Sequence, residues 1–228
     1  MRAVVAITMV LVSIGSALAQ NERILAPGHD ARKMLYGFLL GEAQKHFDAR
    51  TELVEALKTP ADIQKRQREL KRKFIEAIGG YPEKAPLNAQ VVGTFQGDGF
   101  RIEKIIYESR PDHHVTANMY IPDGKGPFPG VLMPCGHSAN GKAASEYQRM
   151  AMSLAKNGMA VLIYDPIGQG ERVQLLDDAR HAVIKNMTNE HTLVGIGALL
   201  VGQSTAGYRI WDGIRSIDYL VSRPEIDA

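Results

Sequence analysis

The sequence predicts an α/β fold, one mixed sheet whose strands run antiparallel at the start and parallel afterwards. Three features predict it: an alternation of period two that begins at Gln90, two short apolar runs at residues 130–135 and 159–164, and a helical pattern between those runs. Apolar runs joined by a helix make a βαβ unit, whose strands lie parallel and are buried on both faces. The 228 residues are 45% hydrophobic and 23% charged, ordinary globular usage that excludes disordered, collagen-like and coiled-coil chains.

Residues 1–19, MRAVVAITMVLVSIGSALA, carry one cation at Arg2, an apolar stretch from Ala3 to Ile14, and then Ala17-Leu18-Ala19, the small-x-small pattern of a signal-peptidase site. They read as a secretory signal. The alternative is a membrane anchor, but the apolar run falls short of the ~20 residues that span a bilayer, and no second hydrophobic segment follows. Cleavage after residue 19 of 228 leaves 209 residues and removes Arg2 from a net charge of +2. The expected protein is secreted or periplasmic, with no stable membrane anchor. So nearly neutral a chain has no field to recruit nucleic acid, and none is expected as a partner. Cys135 is the only cysteine, which excludes an internal disulfide and a cysteine-based zinc site. Stability has to come from a packed core, and chains of this size bury roughly 70% of their extended surface.

Residues 20–82 form a helical amino-terminal region, and residues 83–228 the sheet-bearing domain. Met34, Leu35, Phe38, Leu39 and Phe47 fall on one helical stripe, and Ile63, Leu70, Phe74 and Ile78 on another after Pro60. Seven Lys or Arg against two acids between Lys58 and Lys73 are either a patch for a polyanion or, the blander reading, a solvated helix face. Gly79-Gly80-Tyr81-Pro82 stops the helix, since Pro cannot continue its hydrogen-bond ladder.

In the sheet-bearing part, Val115, Ala117, Met119 and Ile121 alternate with Thr116, Asn118 and Tyr120, a strand with one buried face, and residues 100–109 are its expected partner. After the apolar run at 130–135, Ser145-Glu146-Tyr147-Gln148 reads as a capping box. Tyr147, Met150, Ala151, Leu154 and Ala155 make one face of the helix that follows, and Gly158 stops it before the second apolar run. Glu190-His191 reads as a helix start with Thr188 or Asn189 as cap. A last helix carries Ile210, Ile214, Ile217 and Val221 on one face and ends at Ser222-Arg223-Pro224.

Reacting groups in a parallel sheet gather beyond the carboxyl ends of its strands. Two loops qualify here, PCGHSANGK at 134–142 and, within YDPIGQGER at 164–172, the residues from Asp165 onward. Together with YRIWDGIRSIDYLVSRPEID at 208–227, they resemble the amino-terminal half of secreted α/β-hydrolases of the acetyl xylan esterase and dienelactone-hydrolase-like group. The resemblance spans roughly residues 90–228 and implies an α/β-hydrolase-like sheet, truncated before the nucleophile strand. It implies hydrolysis of acetyl or related esters, small-molecule or polysaccharide, by a serine acyl-enzyme route without a cofactor. In that fold the nucleophile sits in a G-x-S-x-G elbow on the next strand, followed by the acid and the histidine. The triad is therefore expected beyond Ala228, and the chain as given is expected to be inactive.

What remains is the oxyanion loop. Backbone N–H groups aimed at the developing oxyanion are worth about 3 kcal/mol each. One of them comes from the loop after the third strand of the fold, which the resemblance maps onto Gly136-His137-Ser138, so the N–H of His137 or Ser138 is the catalytic candidate. Gly136, which lets backbone approach the substrate, and Gln169 and Glu171 in the second loop are the substrate-binding candidates. Asp165 and Arg172 are expected to tie that second loop down as an ion pair.

Four rival readings are weaker. The loop at 165–172 lacks the third glycine of G-x-G-x-x-G and the Gly-Lys-Ser/Thr of a phosphate loop. Ser204 in Gly202-Gln203-Ser204-Thr205-Ala206 nearly matches the nucleophile elbow, but no histidine lies beyond His191, and a cap on the next helix is the simpler role. Cys135 and His137 make a conceivable nucleophilic pair, against which a cysteine ending an apolar strand is usually core. His29, His46, His113, His114, His181 and His191 show no metal-ligand spacing. From another functional class, the rival is a secreted protein that only binds, or a degenerate hydrolase fragment.

Overall fold

A computed structural model describes residues 30–184 and 187–227, so the expected signal at 1–19 lies outside the described residues. The described residues divide into two compact units between Lys65 and Arg66. In the first, Asp30 caps a 3-10 turn by accepting the Arg32 N–H at 3.0 Å, and helix α1 runs Met34–Glu55. The apolar stripe of α1 is present, but none of its residues is buried. Helix α2, Pro60–Ala77, which contains the boundary between the units, begins with a reciprocal cap in which the Thr59 N–H donates to Asp62 at 3.0 Å and the Asp62 N–H to the Thr59 hydroxyl at 3.2 Å. That Thr-x-x-Asp box, with Pro at the first helical position, fixes its start. Gly79 and Gly80 end it as the sequence predicts.

The second unit is built on a six-stranded sheet in the order β1-β2-β3-β5-β4-β6. Strands β1 (Gln90–Gln96), β2 (Phe100–Arg110) and β3 (His113–Pro122) form an antiparallel meander, with Glu108 opposite His114 and Arg110 opposite His113. Ser109 is thus an extra residue in β2, a bulge that frees its polar groups from the ladder. β5 (Ala160–Tyr164) pairs antiparallel with β3 and parallel with β4 (Phe128–Pro134). Helix α3 (Ser145–Lys156) is the crossover between β4 and β5, and β6 (Ile226–Asp227) pairs parallel with Phe128 and Pro129 of β4.

Side chains sort onto two faces by the period of the strand. Ala160, Leu162 and Tyr164 of β5 join Val115, Ala117, Met119 and Ile121 in a core closed by Tyr219 and Leu220 of helix α5 (Thr205–Val221). Val161 and Ile163 face the other way, against Ala151 and Ala155 of α3. The result is three layers, helix, sheet and helix, and a fully buried β5 at the centre.

Four local expectations need correction. β4 is not buried on both faces: its residues range from half-buried to exposed, and on its far side, among the described residues, only two residues of β6 pair with it. Ser145 is the first residue of α3 rather than its cap; Ala144 holds the cap position with no side-chain bond, and the Gln148 amide reaches the Ala143 carbonyl instead. Met150 of the proposed α3 face is exposed, while the small Ala151 and Ala155 make the close contact. Thr188 and Asn189 sit inside helix α4 (Met187–Leu200) and not before it.

Helix α5 faces the sheet with the side opposite its isoleucine stripe. It buries Trp211, Asp212, Arg215, Ser216, Tyr219 and Leu220, whereas Ile217 and Val221 remain 48% exposed. Polar bonds make this burial tolerable. The bulged Ser109 donates its hydroxyl to Asp212 at 2.6 Å and accepts from the Trp211 indole at 2.7 Å, and Tyr107 and Ser216 hydroxyls meet at 2.5 Å. Among the described residues no helix is long and apolar enough to cross a membrane.

Candidate active site

The two chemical loops leave the carboxyl ends of the parallel strands β4 and β5 side by side. What joins them is Asp165, the first residue after β5, which is 0% exposed. One carboxylate oxygen accepts the Lys142 N–H at 2.8 Å; the other accepts the Thr116 hydroxyl at 2.7 Å and the Glu171 N–H at 3.2 Å, and the Lys142 ammonium closes on it. Lys142 is itself buried, its side chain 7% exposed, and its ammonium also meets Glu171, whose side chain is 70% exposed. Gly141 and Gly170 press on the same carboxylate. Each has a positive φ, +51° and +58°, and a Cβ on either would collide with Asp165. The first loop therefore carries its glycine and lysine in order to seat on the second.

The expected Asp165–Arg172 ion pair does not form. Arg172 bonds the Asp165 carbonyl at 2.8 Å, and its guanidinium pairs with Asp212 of α5 at 2.8 Å, because Asp165 is already saturated by donors from the first loop and β3. Arg172 also donates to His113 Nε2 at 2.9 Å. A guanidinium can only donate, so His113 is the neutral Nδ1–H tautomer. Burial, the largest cause, holds the His113 pKa below its usual value; Asp212 opposes it, and Arg172, Arg110 and His114 add to it.

Within the first loop, the Gly136 N–H donates to the Tyr147 hydroxyl of α3 at 2.8 Å, and the Ser138 N–H donates to Gln169 Oε1 at 2.5 Å. The His137 N–H has no hydrogen-bond partner among the described residues. Its ring lies 5.5 Å from that of His191 on α4, whose Nε2–H donates to the Ile167 carbonyl at 2.6 Å. Burial first, then Arg209 and His137, keeps the His191 pKa low, against the bond to Ile167. Gln169 is 0% exposed, so it reaches the loop from beneath, while Glu171 lies at the surface beside Lys142. A groove of 400 Å³ adjoins the loop, floored by Pro134, Cys135 and Tyr164 and walled by Ile210, Ile214 and Ile217 of α5.

The rival nucleophiles have structural roles. Ser204 caps α5, accepting the Gly207 N–H at 3.0 Å and donating to the Ile78 carbonyl at 3.1 Å. Burial pushes the Cys135 thiol pKa up to about 12, so it is protonated at neutral pH and donates weakly to the Tyr164 carbonyl at 3.4 Å. Among the described residues, no three His, Cys, Asp or Glu side chains are grouped to hold a metal ion. Sequence reasoning missed Tyr147 as a loop anchor, His191 beside His137, and the burial of Lys142. None carries a local signal, since each acts through a partner 11 or more residues away.

No protein-family profile matches the chain, and no curated protein matches it. Solved structures do. A presumed acetyl xylan esterase from Bacteroides fragilis superposes with a TM-score of 0.59 at 23% identity, over 74% of this chain and 46% of that one. A methylesterase superposes with a TM-score of 0.52 at 20% identity, over 78% of this chain and 36% of that one. The chain thus spans less than half the length of either.

Proposed function

From the premise that this chain carries part of an α/β-hydrolase fold, we propose that it supplies the oxyanion-loop part of a secreted carboxylic ester hydrolase. Its triad would lie beyond residue 228, and its substrates would be acetyl or related esters of polysaccharides, cleaved through a serine acyl-enzyme. The observation that carries the reading is the unpartnered His137 N–H, presented just beyond the carboxyl end of β4 between two anchored amides. A developing oxyanion needs such a donor, fixed in place before the reaction begins. The Ser138 N–H is engaged by Gln169, which favours His137 between the two candidates.

Three further observations support it. β6, reached from α5, enters the sheet parallel to β4 at Phe128 and Pro129, where this reading needs the start of the strand that mounts the nucleophile. The two solved structures described above are named for ester chemistry. The groove at Pro134 and Cys135 offers an apolar wall beside the loop, suited to a short acyl group. The test is turnover of an activated aryl acetate. The protein expressed from the complete reading frame hydrolyses it and is labelled by a fluorophosphonate, while the 228-residue chain does neither. Hydrolysis by the 228-residue chain itself, at a rate that tracks its concentration, would overturn the proposal.

A further inference from the structure

Resting on that reading, we infer that Tyr147 and Gln169 are positioning residues that grip the 136–138 loop by its two flanking amides and so leave the His137 N–H as the one amide of the three offered to substrate. The grip comes from two separate elements, α3 through the Tyr147 hydroxyl and the loop after β5 through Gln169 Oε1. Tyr147 sits so close that a Cβ on Gly136 would lie 2.8 Å from its hydroxyl, which gives Gly136 a second reason to be glycine. A third contact, the His137 ring against His191, turns the side chain of the middle residue to one side.

Gln169 shows that the grip is more than packing. The Ser138 N–H can only donate, so the carboxamide must direct Oε1 toward it, and Nε2 is left buried without a hydrogen-bond partner among the described residues. A desolvated donor without a partner lowers stability. A methionine would fill the same volume without the fully buried Nε2 and would free only the half-buried Ser138 N–H, which water can reach, so on stability alone Gln has no advantage at 169. Residues that cost stability while holding a reactive geometry mark functional sites.

The variants are Tyr147→Phe and Gln169→Met, each of which deletes one acceptor. In the 228-residue chain, amide exchange read residue by residue by NMR is expected to show His137 unprotected and Gly136 and Ser138 protected. Tyr147→Phe speeds exchange about tenfold at Gly136 alone, and Gln169→Met about tenfold at Ser138 alone, the scale of one lost hydrogen bond. Core amides of β5 stay unchanged in both variants. In the protein from the complete reading frame, Gln169→Met leaves the melting temperature the same or higher yet lowers kcat by ten- to a hundredfold with KM unchanged, since displacing a reactive group by about 1 Å costs on the order of a hundredfold. A protected His137 amide, exchange unaltered by the variants, or unaltered kcat would overturn the inference. Absence of turnover in the wild-type protein overturns the esterase reading instead, and is told apart because the exchange pattern is read without substrate.

Discussion

Replacing Asp165 by Ala should unseat both chemical loops at once. The substitution removes the acceptor for two backbone amides and the Thr116 hydroxyl, and leaves the Lys142 ammonium buried with only the exposed Glu171 opposite it. Breaking a buried ion pair by deleting one partner costs about 3–5 kcal/mol. The outer Lys142–Glu171 contact adds little, because Glu171 is solvated. The orphaned amides move the total toward the upper end, while water entering beside Lys142 moves it back, so about 4 kcal/mol is the working value. With a urea m-value of about 2 kcal/mol/M, the unfolding midpoint falls by roughly 2 M with m unchanged. Lys142→Met on the Asp165→Ala background should recover part of the loss, since it removes the unpaired buried charge, and the two substitutions should couple by more than about 1 kcal/mol. A midpoint shift below about 0.5 M, or strict additivity of the two changes, would refute the view that this carboxylate bolts the loops together.

Two other outcomes follow from the same network and from the helix that it holds. His113 is kept neutral by burial, so its folded pKa lies below the unfolded value of about 6.5; the stability it contributes is complete above that pH and is lost as pH falls through the folded value. Melting temperature measured from pH 7.5 downward should therefore drop more steeply in the wild type than in His113→Asn, and parallel curves would contradict the assignment. Ser204→Ala should cost about 1 kcal/mol through the lost cap and leave ester turnover by the complete protein unchanged, whereas abolished turnover would make Ser204 the nucleophile.

Where a signal is periodic and local, the sequence revealed it. The alternation through Val115, Ala117, Met119 and Ile121 marks β3 because every second side chain must enter one core, and the two apolar runs mark β4 and β5 as the parallel pair. The stripe on α5 misleads for a physical reason. Ile210, Ile214, Ile217 and Val221 are its most apolar residues, yet the sheet takes the opposite face, where Trp211, Tyr219 and Leu220 bring larger area and Asp212 finds Arg172 and Ser109. Pairings of that kind link positions 40 or more apart and leave no trace in local spacing. The position of the loop at 134–142 beyond the carboxyl end of β4 was legible, but not the means by which it is held. Lys142 reads like any surface lysine until Asp165, 23 residues away, is folded against it. Likewise, His137 and Ser138 are equivalent candidates in sequence and are separated only by the geometry of Gln169.

The most direct measurement is to read the coding DNA past codon 228 to its first in-frame stop. An apolar strand leading into G-x-S-x-G within about 20 codons, with an acid and then a histidine downstream, is the predicted result, because β6 enters the sheet parallel to β4 as the start of that strand would. A stop codon directly after Ala228 would contradict it and leave the proposed oxyanion loop with no nucleophile to serve.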